Sequence, residues 1–77
     1  MQLSEAQAAY REGRISEVVL EPAESGNGWM ILLIGKLGDG VKLTDHSGFE
    51  KVYHDLDHAT EAAKAIGAER LRIEEPF

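Results

Sequence analysis

The chain has 77 residues, with 14 acidic against 8 basic side chains, a formal net charge of −6 and no cysteine. A chain of this length makes one small domain (residues 1–77) near the lower limit for a self-sufficient core, able to bury roughly 60% of its unfolded surface. Without cysteine there is neither a disulfide framework nor a thiolate metal site, and the scattered acids disfavour direct binding of nucleic acid through a basic face. No basic stretch leading into an apolar run opens the chain, and the longest apolar run, six residues, falls far short of the about 20 that span a bilayer. A cytoplasmic protein with no membrane partner is expected.

Met1 to Gly13 is predicted to be a short helix, with Ser4 as N-cap, Gln7 three residues on, and Gly13 as the stop. Leu3, Ala6 and Tyr10 form its narrow apolar stripe, and a helix of about two turns must dock on something to persist. Ile15 to Glu21 reads as a strand with Ser16, Val18 and Leu20 on one face and Ile15, Glu17, Val19 and Glu21 on the other. Pro22 ends it, because proline has no ladder donor.

Ser25, Gly26, Asn27 and Gly28 tolerate positive φ and predict a hairpin into Trp29–Ile34, the most informative stretch of the chain. Six consecutive apolar residues between Gly28 and Gly35 read as a central strand buried on both faces. Trp29, Ile31 and Leu33 then point one way, and Met30, Leu32 and Ile34 the other. A glycine-rich connection (Gly35, Gly38, Gly40) leads to a third strand, Val41 to Thr44. Asp45 to Gly48 fits a type I turn into a fourth strand, Phe49 to Tyr53.

Asp55 is the predicted N-cap of a second helix, Leu56 to Ile66, whose alanine-rich face (Leu56, Ala59, Ala63, Ile66) suits close approach to a sheet; Gly67 stops it. Arg70 to Glu74 is a last strand with Leu71 and Ile73 inward, and Pro76 prevents its extension. The expected fold is α+β in the order α-β-β-β-β-α-β. Its sheet would be a wholly antiparallel meander of strand order 4-3-2-1-5, with the second helix packed on one face.

No chemical signature matches the strength of these structural ones. His46, His54 and His58 with Asp45, Asp55 and Asp57 resemble a zinc or nickel ligand set, yet the Asp55 cap leaves His54 extended and only His58 helical. Solvated loop residues are the better reading, and the same holds for the paired carboxylates. Gly35, Gly38 and Gly40 are followed by a strand, where a phosphate-binding loop opens a helix, so they mark a turn. No serine or threonine sits in a strand-turn-helix elbow. The expectation is a non-enzyme with no catalytic residue, cofactor or metal.

What remains is apolar surface. The second helix covers one sheet face; the amino-terminal helix covers the other, or that face is an interface with a protein partner or a second copy. The expected interaction residues are Trp29, Ile31, Leu33, Val19 and Tyr10, with Met30, Leu32 and Ile34 as the alternative set and an open strand edge as a further route. The leading expectation is a non-catalytic protein-interaction module. The alternative is an acidic nucleic-acid-associated regulator that mimics DNA charge or uses Lys36, Lys42 and Lys51 as a local patch, and a weaker third reading is a metal-dependent enzyme using the three histidines.

Trp29, Leu43–Thr44, Gly48, Lys51–Tyr53 and Leu56–Gly67 together resemble the small plasmid-borne and mobile-element proteins grouped as ParC-like or TraN-like partition-associated proteins. Their pattern is a tryptophan strand, a Leu-x-Thr strand, a turn glycine, a basic-x-aromatic strand, a Leu-Asp helix start and an Ile-Gly helix stop. The resemblance covers most of the chain from Val18 onward and departs at Tyr53, at His58 and at Asp55, which stands in place of a serine cap. It implies an accessory role in plasmid maintenance or conjugation and carries over no catalytic residue.

Overall fold

The computed structural model of the chain describes residues 1–24 and 27–74. Ser25, Gly26 and Pro76, to which the sequence assigned turn and stop roles, lie outside the described residues. Helix α1 (Leu3–Arg11) begins before the expected Ser4 cap: Gln2 is the N-cap, and its amide donates to Glu5 Oε1 at 3.0 Å, which leaves Ser4 inside the first turn. Gly13 ends the helix as expected. Its φ of +79° lets its own amide reach the Tyr10 carbonyl at 3.0 Å and the Arg14 amide reach that of Ala9 at 2.9 Å.

Strands β1 (Ile15–Pro22) and β2 (Trp29–Gly35) form the antiparallel centre of the sheet, with Val18 opposite Leu33 and Leu20 opposite Ile31. The register shifts between Ile15 and Glu17, where Ser16 is the extra residue and its Oγ donates to the carbonyls of Ile34 and Gly35 at 3.1 and 3.2 Å. This bulge corrects the simple alternation: Ile15 packs with the Val18–Leu20 core, not on the opposite face. Pro22 remains in β1 opposite Trp29. It costs that ladder nothing, because the Trp29 amide and carbonyl both turn the other way, to Tyr53.

Strand β3 (Gly40–Lys42) pairs antiparallel with β2, and β4 (Arg72–Ile73) pairs parallel with β1, giving a four-stranded mixed sheet in the order β3-β2-β1-β4. The expected five-stranded, wholly antiparallel meander is therefore corrected in two respects. Phe49–Tyr53 is not a strand; it makes only isolated bridges, Glu50 to Thr44 and Tyr53 to Trp29. The last strand does lie beside the first, but in the same direction.

Both follow from the path of the chain after the expected turn, which ends with Tyr53 paired to Trp29. Asp45 Oδ1 accepts the amides of Ser47 (2.8 Å) and Phe49 (3.1 Å), and Gly48 adopts φ +90°, so the chain reverses at once. It then returns to the start of β2 without crossing the sheet. Helix α2 (Leu56–Ile66) consequently sets out from that end and runs back against β1, and β4 emerges parallel.

α2 follows the sequence closely, from an Asp55 cap whose Oδ1 accepts the His58 amide at 2.8 Å to Gly67 at φ +115°. Ala6, Ala59 and Ala63 are fully buried with Val18, Leu20, Ile31, Leu33, Leu43 and Ile66 in one core, which places both helices on the same face of the sheet. Gln7 Nε2 donates to the Ala65 carbonyl at 2.9 Å and the Glu69 amide to Tyr10 Oη at 3.3 Å, fastening α1 to the end of α2. The amino-terminal helix thus does not cover the second face.

Candidate interaction surface

The placement of the helices divides the expected interaction residues. Ile31 and Leu33 are 0% and 2% exposed beneath the helices, and Trp29 and Tyr10 are half-buried against the same core. Val19 alone faces the other way. Its companions there are Met30, Leu32 and Ile34, which alternate with Trp29, Ile31 and Leu33 along β2 and stand outside the helix-side core.

Val52 joins this row, a position that sequence reasoning missed. Tyr53 pairs with Trp29 and packs on the helix side, so alternation sends Val52 to the face of Met30. Its Cγ1 lies 2.6 Å from where a Cβ on Gly28 would stand, an approach only glycine permits. Val52 is 47% exposed, and Leu32 and Ile34 are half-buried. No pattern in residues 49–53 betrays this, because it depends on a main-chain pairing distant in sequence.

Charged side chains flank the aliphatic row. Val19 is opposite Arg72 in the ladder, and Arg72 Nε meets Glu17 Oε1 at 3.0 Å alongside it. On the other flank Lys42 Nζ reaches Glu50 Oε2 at 3.4 Å and Glu24 Oε1 at 3.8 Å. Glu50, and behind it Glu24 and Glu21, holds the Lys42 ammonium above the usual lysine range. Val19 and Met30 are 0% and 3% exposed, so only Leu32, Ile34 and Val52 of this row reach the surface.

The two sheet edges differ. Along β3 the Met1 α-amino group donates to the Lys42 carbonyl and to Thr44 Oγ1, both at 3.3 Å, while the Thr44 amide donates to the Met1 carbonyl at 2.7 Å. Met1 therefore takes up the Lys42 carbonyl and the Thr44 amide beside that edge. Nothing among the described residues pairs with the outer edge of β4.

No family model, curated protein or solved structure matches the chain.

The remaining candidates are dispersed. His58 Nδ1 is 2.7 Å from Asp55 Oδ1, a local pair at the start of α2, and among the described residues no group of three or more potential ligands could hold a metal. His46 lines a groove with Gln7, Thr44, Lys51 and Tyr53. Lys36 belongs to a second groove of about 390 Å³ at the other end of the sheet, Lys51 lies over the Tyr53 ring at 5.9 Å, and Lys42 is on the helix-free face. The three lysines form no common patch. The Gly35–Gly40 segment is a hairpin turn, closed by Gly38 N to Gly35 O at 3.0 Å and Gly35 N to Asp39 O at 2.8 Å. No helix among the described residues is long and apolar enough to cross a membrane.

Proposed function

We propose that the chain is a non-catalytic protein-interaction module whose binding surface is the helix-free face of its sheet. The observation that carries this reading is that α1 and α2 share one face, while Leu32, Ile34 and Val52 stand partly exposed on the other with no described helix or strand over them. An apolar centre bordered by ion pairs is the usual anatomy of a protein interface. The outer edge of β4 adjoins it as a place for main-chain pairing. The resemblance to partition-associated proteins supports placing the interaction in plasmid maintenance or conjugation.

The test is binding of a dye that fluoresces on apolar surface, measured on the wild type and on Leu32→Asp and Val52→Asp under conditions where circular dichroism shows all three folded. Saturable dye binding that both substitutions reduce supports the reading. A folded wild type that binds no dye rejects it.

A further inference from the structure

We infer that the outer edge of β4 is a self-pairing seam, at which a second copy of the chain lies antiparallel across Ile73. The seam is separate from the helix-free face, so it stands or falls independently of the reading above. The main chain supplies the geometry. The Glu74 amide donates to the Leu20 carbonyl at 2.8 Å, and Arg72 and Ile73 are in register with Val19 and Leu20 in the parallel ladder. Alternate residues of such a strand bond to the same neighbour, so Arg72 and Glu74 turn to β1, and Ile73 turns its amide and carbonyl outward. Two copies set antiparallel with Ile73 opposite Ile73 exchange both of those bonds, the closed two-bond pair of an antiparallel ladder.

The side chains select this register. Two-fold pairing about Ile73 sets Arg72 of each copy opposite Glu74 of the other, giving two attractive pairs across the seam. An axis two residues back, at Leu71, would set Arg70 opposite Arg72, and these repel. Arg72 meets Glu17 through Nε at 3.0 Å, which leaves the other donors of its guanidinium for a second carboxylate. Ile73 shares the helix side with Leu20 and Leu71, yet it is 42% exposed at the margin of the core. A second Ile73 beside it would cover that surface. Edges that resist pairing carry lysines or proline. This one carries opposite charges placed symmetrically about an apolar residue whose main-chain groups face outward.

The test is sedimentation velocity of the full chain over a concentration series reaching about 1 mM, the range in which so short a seam should associate. The wild type is expected to pass from monomer to dimer and no further. Arg72→Glu and Glu74→Arg, each alone, place like charges across the seam and should each weaken association about tenfold. Mixed in equal amounts, the two variants should pair again, because every charge pair between one variant and the other is attractive. Ile73→Pro removes the outward amide and leaves those that bond to β1, so this variant, shown folded by circular dichroism, should stay monomeric. All three positions are exposed, so none of these variants alters the core.

A wild type that stays monomeric throughout the series, or that assembles beyond a dimer, would overturn the inference. A dimer that Ile73→Pro or the single charge reversals leave at wild-type strength would also overturn it, because the contact would then lie elsewhere. Failure of the mixed variants to pair would do the same. Dye binding at Leu32 and Val52 is read separately and decides only the interaction reading of the helix-free face.

Discussion

Tyr53 and Trp29 exchange two main-chain hydrogen bonds, each 2.8 Å long, across 24 positions of sequence. This clasp returns the chain to the start of β2, sets the direction of α2, and makes β4 parallel to β1. It also places Val52 beside Gly28. The arrangement of the helix-free face therefore depends on one pairing outside any regular strand.

Gly28→Ala is expected to loosen the clasp. A Cβ there would stand 2.6 Å from Val52 Cγ1 and 2.7 Å from the Tyr53 carbonyl oxygen, at a φ of +135° that side chains rarely adopt. The expected loss is about 2–3 kcal/mol in urea-unfolding free energy. An unchanged midpoint would show that the 52–53 segment yields freely.

Gly67 and Gly38 make a controlled comparison. Both have positive φ, +115° and +88°, but a Cβ at Gly67 would lie 3.3 Å from Tyr10 Cδ1, whereas Gly38 has nothing within 4 Å. Gly38→Ala should cost about 1 kcal/mol for backbone conformation alone, and Gly67→Ala distinctly more. Equal costs in thermal or urea unfolding would mean that Tyr10 does not hold α1 against the end of α2.

Core truncation should be severe. Leu20 and Ile31 are fully buried opposite one another between the helices and the sheet, so Leu20→Ala or Ile31→Ala should cost about 2–5 kcal/mol. In so small a domain that is enough to unfold much of the population at room temperature. Leu37→Ala, at an exposed turn, should change stability by less than about 0.5 kcal/mol, and the contrast is read from urea-unfolding midpoints.

The Asp55–His58 pair predicts a pH dependence with two limbs. The His58 amide, and then its ring, holds the Asp55 carboxyl below its ordinary 3.8, so this stabilisation is present above that value and is lost as pH falls through the lowered one. Asp55 raises the His58 imidazolium above 6.5, so its stabilisation is complete below 6.5 and is lost as pH rises through the raised value. Both pKa shifts stabilise the fold together between about pH 4 and 6.5. Because both groups are solvent-exposed the effect should be small; His58→Ala should flatten the upper limb in a pH series of urea midpoints, and an unchanged limb would assign it elsewhere.

Local chemistry was legible in the sequence; relations between distant segments were not. The Asp55 cap, the Gly13 and Gly67 stops, the turn at Asp45–Gly48 and the double-faced Trp29–Ile34 strand all rest on side chains and φ values within a few residues. The bulge at Ser16 escaped, because its hydroxyl finds the Ile34 and Gly35 carbonyls only once β2 is in place. The return of Tyr53 to Trp29 escaped for the same reason, since five alternating residues after a good turn read as a strand whether or not they cross the sheet. The seating of α1 depends on alanines that make both helices narrow enough to share a face, a property of the pair. Trp29, Ile31 and Leu33 turn towards the helices and Met30, Leu32 and Ile34 away from them, a choice that period two leaves open in the sequence.

The hydrogen bonds of Met1 to Lys42 and Thr44 bear on how far molecules of this kind could join side by side. A ribbon that grows without end needs two receptive flanks on every unit, one to give and one to receive. Here Met1 already holds the Lys42 carbonyl beside β3, which makes that flank the less receptive one, so lateral joining through β4 favours a pair over open-ended fibres.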